Sequence, residues 1–261
     1  MCIRDRYLDF LCGLAVTSLG HSHPRVAAAL AGQAGTLLHV STLFDTEPHL
    51  EVAARLDALV RSGTGATGPG RVLFQNSGAE GNEAAIKLAR KWGRDQRHGS
   101  SEIITAENAF HGRTLTTVTA TGNPRYMDPF GPLPGGFVYV PYNDIDALRG
   151  AITDQTCAIM LNSPGNPTGA VYPRATVQAI CEEAARRGVV VISDEVYDIS
   201  APTKNGLGEE STHSLALEVT IDTKAPTIVD DLFLIESAGA GLTFTQTPSF
   251  GVLGGGSSQS Y

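Results

Sequence analysis

Asn76-Ser77-Gly78-Ala79-Glu80-Gly81-Asn82-Glu83 follows a short apolar run and opens a helical pattern. Gly78 lets the backbone approach a ligand, and the first-turn N–H groups, with the helix dipole behind them, favour a phosphate to which Ser77 adds a hydroxyl donor. An ordinary helix cap uses the same residues. Phe110-His111-Gly112-Arg113 follows the run Glu102–Thr105. There an aromatic ring can stack on a planar group, and a guanidinium can hold a carboxylate through two parallel hydrogen bonds. A core Phe and a solvated Arg explain this tetrapeptide as well. Asn162-Ser163-Pro164-Gly165-Asn166-Pro167-Thr168-Gly169 and Ser193-Asp194-Glu195-Val196-Tyr197 each close another apolar run. Asp194 can pair with a protonated ring nitrogen, and Asn166 and Tyr197 can donate to a phenolate-like oxygen. A turn at 166–169 and a cap at Asp194-Glu195 are the plain alternatives. Recurrence at successive strand ends favours chemistry.

The elements that must position these groups alternate regularly. From Arg71 onward the strand-like runs 72–74, 102–105, 137–140, 157–161 and 189–193 are separated by helical patterns over 80–92, 113–121, 145–152 and 175–187. Such alternation predicts an α/β fold, three layers with a mostly parallel sheet between helices, and ligands bind beyond the carboxyl ends of such strands. Upstream, Tyr7–Phe10 reads as a strand, and helices are expected over 24–39 and 48–61, with 62–70 (SGTGATGPG) as a connection. Beyond residue 198 the alternation stops, and a Thr-, Ser- and Gly-rich tail runs to Tyr261. The expected divisions are 1–6, a leader foreign to the rest; 7–63, an N-terminal segment; 64–198, the core; and 199–261, an irregular tail.

With 42% hydrophobic residues in 261, the chain can fill a globular domain. A formal charge of -8 without a basic run argues against a nucleic-acid surface. No apolar run reaches membrane-spanning length. Cys2, Cys12, Cys157 and Cys181 lack paired spacing, which suits free thiols in the cytoplasm. No metal is expected: His21 and His23 flank a turn and a helix start without other ligands at metal spacing.

Residues 7–155 resemble the class III aminotransferases, and among them the acetylornithine aminotransferases. The likeness rests on Tyr7-Leu8-Asp9-Phe10, Leu19-Gly20-His21-Ser22-His23-Pro24, His39-Val40-Ser41, the run from Asn76 to Arg90, and Phe110-His111-Gly112-Arg113-Thr114. It implies pyridoxal 5'-phosphate (PLP) as cofactor and an incomplete large domain of fold type I. Ser77, Gly78 and Ala79 would cup the phosphate, Phe110 would stack on the ring with His111 beside it, and Arg113 would hold a substrate carboxylate. Residues 156–198 instead resemble class I, the aspartate aminotransferase group, through 162–169 and Asp194-Glu195-Val196-Tyr197. By that likeness Asn166 and Tyr197 bind the 3-oxygen, Asp194 the ring nitrogen, and Val196 the ring face opposite Phe110. The tail segment Val219–Thr227 resembles the strand junction of immunoglobulin-like bacterial surface repeats. A composite reading frame accounts for this succession economically.

The resemblance also implies a lysine that carries the cofactor, one strand past Asp194. Only Lys204 and Lys224 follow Asp194, and the Asp222-Thr223-Lys224-Ala225-Pro226 setting belongs to the surface-repeat likeness. Lys224 is thus the weak candidate for catalysis, and an aminotransferase fragment without turnover is expected. Its complete relatives would be homodimers that transfer an amino group from an N-acylated diamino acid to a 2-oxo acid, 2-oxoglutarate. Aspartate or aromatic aminotransferase chemistry, a non-functional composite and a surface-repeat fragment are the alternatives.

Overall fold

A computed structural model describes residues 6–17, 19–41, 43–64, 70–195 and 242–246, in two compact units that divide between Val52 and Ala53. In the first unit the expected strand at Tyr7–Phe10 does not form. The Asp9 carboxylate accepts the amides of Leu11 at 3.0 Å and Cys12 at 2.9 Å, which turns the chain into the short helix α1 (Cys12–Ala15). These local side-chain bonds compete with extension. Helix α2 (Pro24–Ala34) starts on Pro24 as expected but stops at Gly35, five residues short of the predicted end, since glycine is a poor helix former. Helix α3 (Glu47–Thr64) crosses the division between the units.

The second unit continues with β1 (Gly70–Phe74), α4 (Gly78–Gln96), β2 (Glu102–Ala106), α5 (Leu115–Ala120), α6 (Pro124–Met127), β3 (Phe137–Val140), α7 (Ile145–Ala151), β4 (Thr156–Asn162), α8 (Arg174–Arg187), β5 (Val190–Asp194) and β6 (Leu242–Gln246). Four strands form a parallel sheet in the order β3-β2-β4-β5, with Ile103 opposite Phe137 and Asn162 opposite Asp194. All seven positions of β4 are buried, as a strand covered on both faces must be.

The two faces carry separate cores. Ala85, Ile86 and Ala89 of α4 pack against Ile103, Ala158, Met160, Val190 and Ile192. On the opposite face Leu148 of α7 and Ile180 and Ala184 of α8 cover Ile104, Ile159 and Leu161. Alternate side chains of each strand therefore serve opposite layers, and each fully buried Ile contributes roughly 1.5–3 kcal/mol. Close helix–sheet contact needs Gly93, where an added Cβ would lie 2.2 Å from the Ser100 carbonyl oxygen and 2.6 Å from Cys157 Cβ.

Three expectations are corrected here. β1 stands outside the parallel sheet and pairs antiparallel with β6, Val72 opposite Phe244. Its alternation of half-buried and exposed positions is that of a strand covered on one face, unlike β4. The tail thus contributes a strand where only irregular chain was expected. Glu183, whose place in the polar stretch of the 175–187 helical pattern predicts an exposed surface position, is buried with a side chain 4% exposed, because Arg186 and Arg187 from the last turn of α8 fold back onto it. No helix among the described residues is long and apolar enough to cross a membrane.

Candidate cofactor site

The candidate residues gather where β2, β4 and β5 end and α4 begins. Ser77 caps α4: its Oγ accepts the Glu80 amide at 3.3 Å, while the Glu80 carboxylate reaches back to the Asn76 amide at 2.8 Å. The cap and the anion site are compatible, because the Gly78 and Ala79 amides precede the first intrahelical bond, Gly81 N to Ser77 O at 3.0 Å. Helix α4 spans nineteen residues, enough to set up a dipole at this end.

Gly112 joins this turn to the loop after β2. Its φ of +132° disfavours a side chain, and an added Cβ would stand 2.6 Å from Thr117 Oγ1 and 2.8 Å from Ala79 Cβ. Thr114 then caps α5 and donates to Glu83 Oε1 on α4 at 2.5 Å. Backbone contact and a hydrogen bond thus hold the loop after β2 against the start of α4.

Asp194 closes β5 in full burial. One of its oxygens, Oδ2, lies 2.6 Å from His111 Nδ1 and accepts from Asn82 Nδ2 at 3.2 Å. The side chains of His111 and Asp194 are both 0% exposed. An ionised carboxylate only accepts, so His111 Nδ1 is the donor. Asn82 Nδ2 also donates to the His111 carbonyl oxygen at 2.9 Å. Behind the carboxylate, Asn162 Nδ2 donates to the Asp194 carbonyl oxygen at 2.9 Å, and Asn162 Oδ1 accepts the Asn166 amide at 2.7 Å.

Among the described residues this network leaves two buried atoms, Asp194 Oδ1 and His111 Nε2, without a hydrogen-bond partner. A buried polar atom left unsatisfied costs about 1–3 kcal/mol, more when charged. A protonated ring nitrogen is the complement of a carboxylate oxygen, so the donor set fits PLP: helix amides for phosphate, a carboxylate for the ring.

Phe110 is half-buried and Arg113 exposed. The Arg113 guanidinium carbon lies 4.4 Å from the Tyr126 ring centroid and 5.1 Å from that of Phe110. Stacking of this kind uses the guanidinium face and leaves its N–H edge for a planar acceptor. Among the described residues no carboxylate pairs with Arg113.

Sequence reasoning placed Ser77, Gly78, Ala79, Phe110, His111, Arg113, Asn166 and Asp194 in one region, and the structure brings His111 and Asp194 into contact. It overlooked Asn82 and Asn162 as partners of Asp194, although both stand inside the motifs that drew attention. Val196, Tyr197 and Lys224 lie outside the described residues. Among the described residues no group of three or more His, Cys, Asp or Glu side chains could hold an ion.

A parallel sheet covered on both faces, with these groups at its strand ends, has the fold-type-I large-domain architecture of PLP enzymes. The chain belongs to the class III aminotransferases, whose family profile (aminotransferase class-III) matches residues 4–198. It is 47% identical over 193 residues to an acetylornithine aminotransferase of Methanothermobacter thermautotrophicus, covering 74% of this chain and 46% of that protein. A counterpart from Methanocaldococcus jannaschii is 46% identical over 198 residues, covering 73% and 47%. Among solved structures, the ornithine aminotransferase of Toxoplasma gondii, described with partial PLP occupancy at its active site, aligns with a TM-score of 0.60 at 31% identity, covering 72% of this chain and 44% of that one. The chain therefore spans about half the length of the curated relatives it matches. The class III match extends through 156–198, the stretch that resembles class I, and the comparisons show neither a class I segment nor an immunoglobulin-like one.

Proposed function

We propose that this chain is the cofactor-binding portion of an acetylornithine-type aminotransferase, which moves an amino group between an N-acylated diamino acid and 2-oxoglutarate. The observation that carries the reading is the buried Asp194 carboxylate at the end of β5, whose Oδ1 has no partner among the described residues. PLP supplies electron withdrawal from the substrate α-carbon. Around it the chain's own residues bind and orient. Ser77, Gly78 and Ala79 hold the phosphate, Asp194 keeps the ring nitrogen protonated, and Phe110 covers one ring face. Arg113, stacked on Tyr126, takes a substrate carboxylate, and Asn166 with Tyr197 donates to the 3-oxygen while Val196 packs on the other face. The names of the relatives support the substrate class, and the free thiols of Cys157 and Cys181 suit the cytoplasm. The complete protein would act as a homodimer.

Only Lys204 and Lys224 follow Asp194, so binding without turnover is expected of the 261-residue chain. The test is absorbance titration of the full chain with PLP, followed by borohydride reduction and peptide mapping. A spectral change that Asp194→Ala abolishes, with no lysine adduct after residue 194, is the expected result. Absence of binding at millimolar PLP sinks the cofactor reading, and a reduced Lys224 adduct with steady transamination sinks the prediction of no turnover.

The composite origin is a second reading, favoured by the class I-like Asn162–Gly169 and Asp194–Tyr197 and the surface-repeat-like Val219–Thr227. Source DNA translated in other frames around residues 150–160 and beyond 198 decides it. An uninterrupted frame whose surrounding copies read the same residues would remove it.

A further inference from the structure

We infer that Asn82 is a positioning residue, which fixes the orientation of the Asp194 carboxylate so that Oδ1 faces the cofactor ring nitrogen. The inference rests on the cofactor reading above and adds a residue to it. Asn82 belongs to α4, five positions past the Ser77 cap, and is 3% exposed. Its amide nitrogen carries two hydrogens and has two acceptors: the His111 carbonyl oxygen at 2.9 Å and Asp194 Oδ2 at 3.2 Å. One nitrogen thus ties the helix that begins at the phosphate cup to the loop after β2 and the end of β5.

The consequence lies in which oxygen it chooses. Asn82 and His111 both donate to Oδ2, and neither donates to Oδ1. A half-turn of the carboxylate about its Cβ–Cγ bond would exchange two chemically identical oxygens, so the pair as such is degenerate. Smaller rotations are not, since they lengthen both bonds to Oδ2 together. The two donors therefore hold the carboxylate plane, and Oδ1 has a fixed direction before any ligand arrives. Asn82 contributes a second constraint through the His111 carbonyl, which sets where the imidazole begins and so where Nδ1 meets Oδ2. With Asn82 absent, His111 would hold Asp194 alone, and its own backbone would have lost a donor. The ring could then turn, leaving the protonated nitrogen undefined.

The test uses the full chain with Asn82→Leu, a near-isostere without donors, and Asn82→Ala, with circular dichroism to establish folding. The first readout is the set of His111 ring ¹⁵N signals in the cofactor-free protein. The second is affinity for pyridoxamine 5'-phosphate, which needs no lysine, compared with its 1-deaza analogue, which lacks the ring nitrogen. Wild type should show Nδ1 protonated, and folded Asn82 variants a mixed protonation pattern. The variants should lose about tenfold or more in pyridoxamine phosphate affinity, the scale of one hydrogen bond to a charged group, while binding the deaza analogue as wild type does. Unchanged His111 signals overturn the inference whatever the affinities. Equal losses for both ligands also overturn it, because a merely structural role predicts that outcome. Failure of wild type to bind pyridoxamine phosphate overturns the cofactor reading separately, and the ring signals still decide whether Asn82 orients the pair.

Discussion

Asp194 receives both of its described side-chain donors on one oxygen, which makes it a directional group rather than a mere negative charge. That chemistry was half legible in the sequence. A carboxylate at a strand end is visible in the motif Ser193–Tyr197, but its partners are 83 and 112 positions away, at His111 and Asn82, and no local spacing reveals such contacts. Glu183 shows the opposite failure. Its place in a polar helical stretch suggested solvent, yet Arg186 and Arg187 enclose it. The Arg186 hydrogen bond, joined by that of Arg187 and opposed by desolvation, holds the Glu183 carboxyl below the ordinary glutamate range. A depressed folded value means stabilisation that is present above the unfolded value, near 4.3, and lost as pH falls through the lower folded one. Because both arginines are largely exposed, Glu183→Gln should cost only about 1 kcal/mol at pH 7. Urea midpoints from pH 3 to 7 should show that difference shrinking at the acid end and under high salt. A gap constant across this range would mean that packing, not charge, accounts for the loss.

At the scale of elements, β2 to β5 were legible because each is a short apolar run set off by a helical pattern, and both faces of the sheet are covered. The strand expected at Tyr7–Phe10 was not, because one Asp9 side chain diverts the backbone with two local hydrogen bonds. The exclusion of β1 from the parallel sheet depends on which strands adjoin it, information that a run of three apolar residues does not contain. How the site elements lock together likewise depends on a glycine whose need shows only in three dimensions. Gly112→Ala would force a methyl between Thr117 Oγ1 and Ala79 Cβ, at a φ that alanine disfavours. The expected cost is about 1–3 kcal/mol of stability, typical of overpacking with backbone strain. Since Ala79 belongs to the first turn of α4, phosphate-ester affinity should fall too. Thermal melts and pyridoxamine phosphate titration of the variant measure both, and a loss of stability without a loss of affinity would separate the loop from the proposed phosphate cup.

For the whole molecule, the second unit contains two sheets of unequal support. The parallel sheet has helices on both faces, and β4 within it is buried along its full length. The β1–β6 pair joins positions 70–74 to 242–246, across most of the chain, and two strands alone are marginal in water. Closing so long a loop costs free energy that grows only slowly with length, but five paired residues return little to offset it. Local opening should therefore release β1 before the parallel sheet. Native-state hydrogen exchange of the full chain is expected to show β4 amides exchanging only with global unfolding, with a steep urea dependence. Amides of β1 should exchange at least about a hundredfold faster, through openings that expose little surface and respond weakly to urea. Equal protection and equal urea slopes in β1 and β4 would instead mean that the tail strand completes one cooperative unit with the cofactor core. The Leu242–Gln246 segment would then belong to the working fold, whatever the origin of the sequence around it.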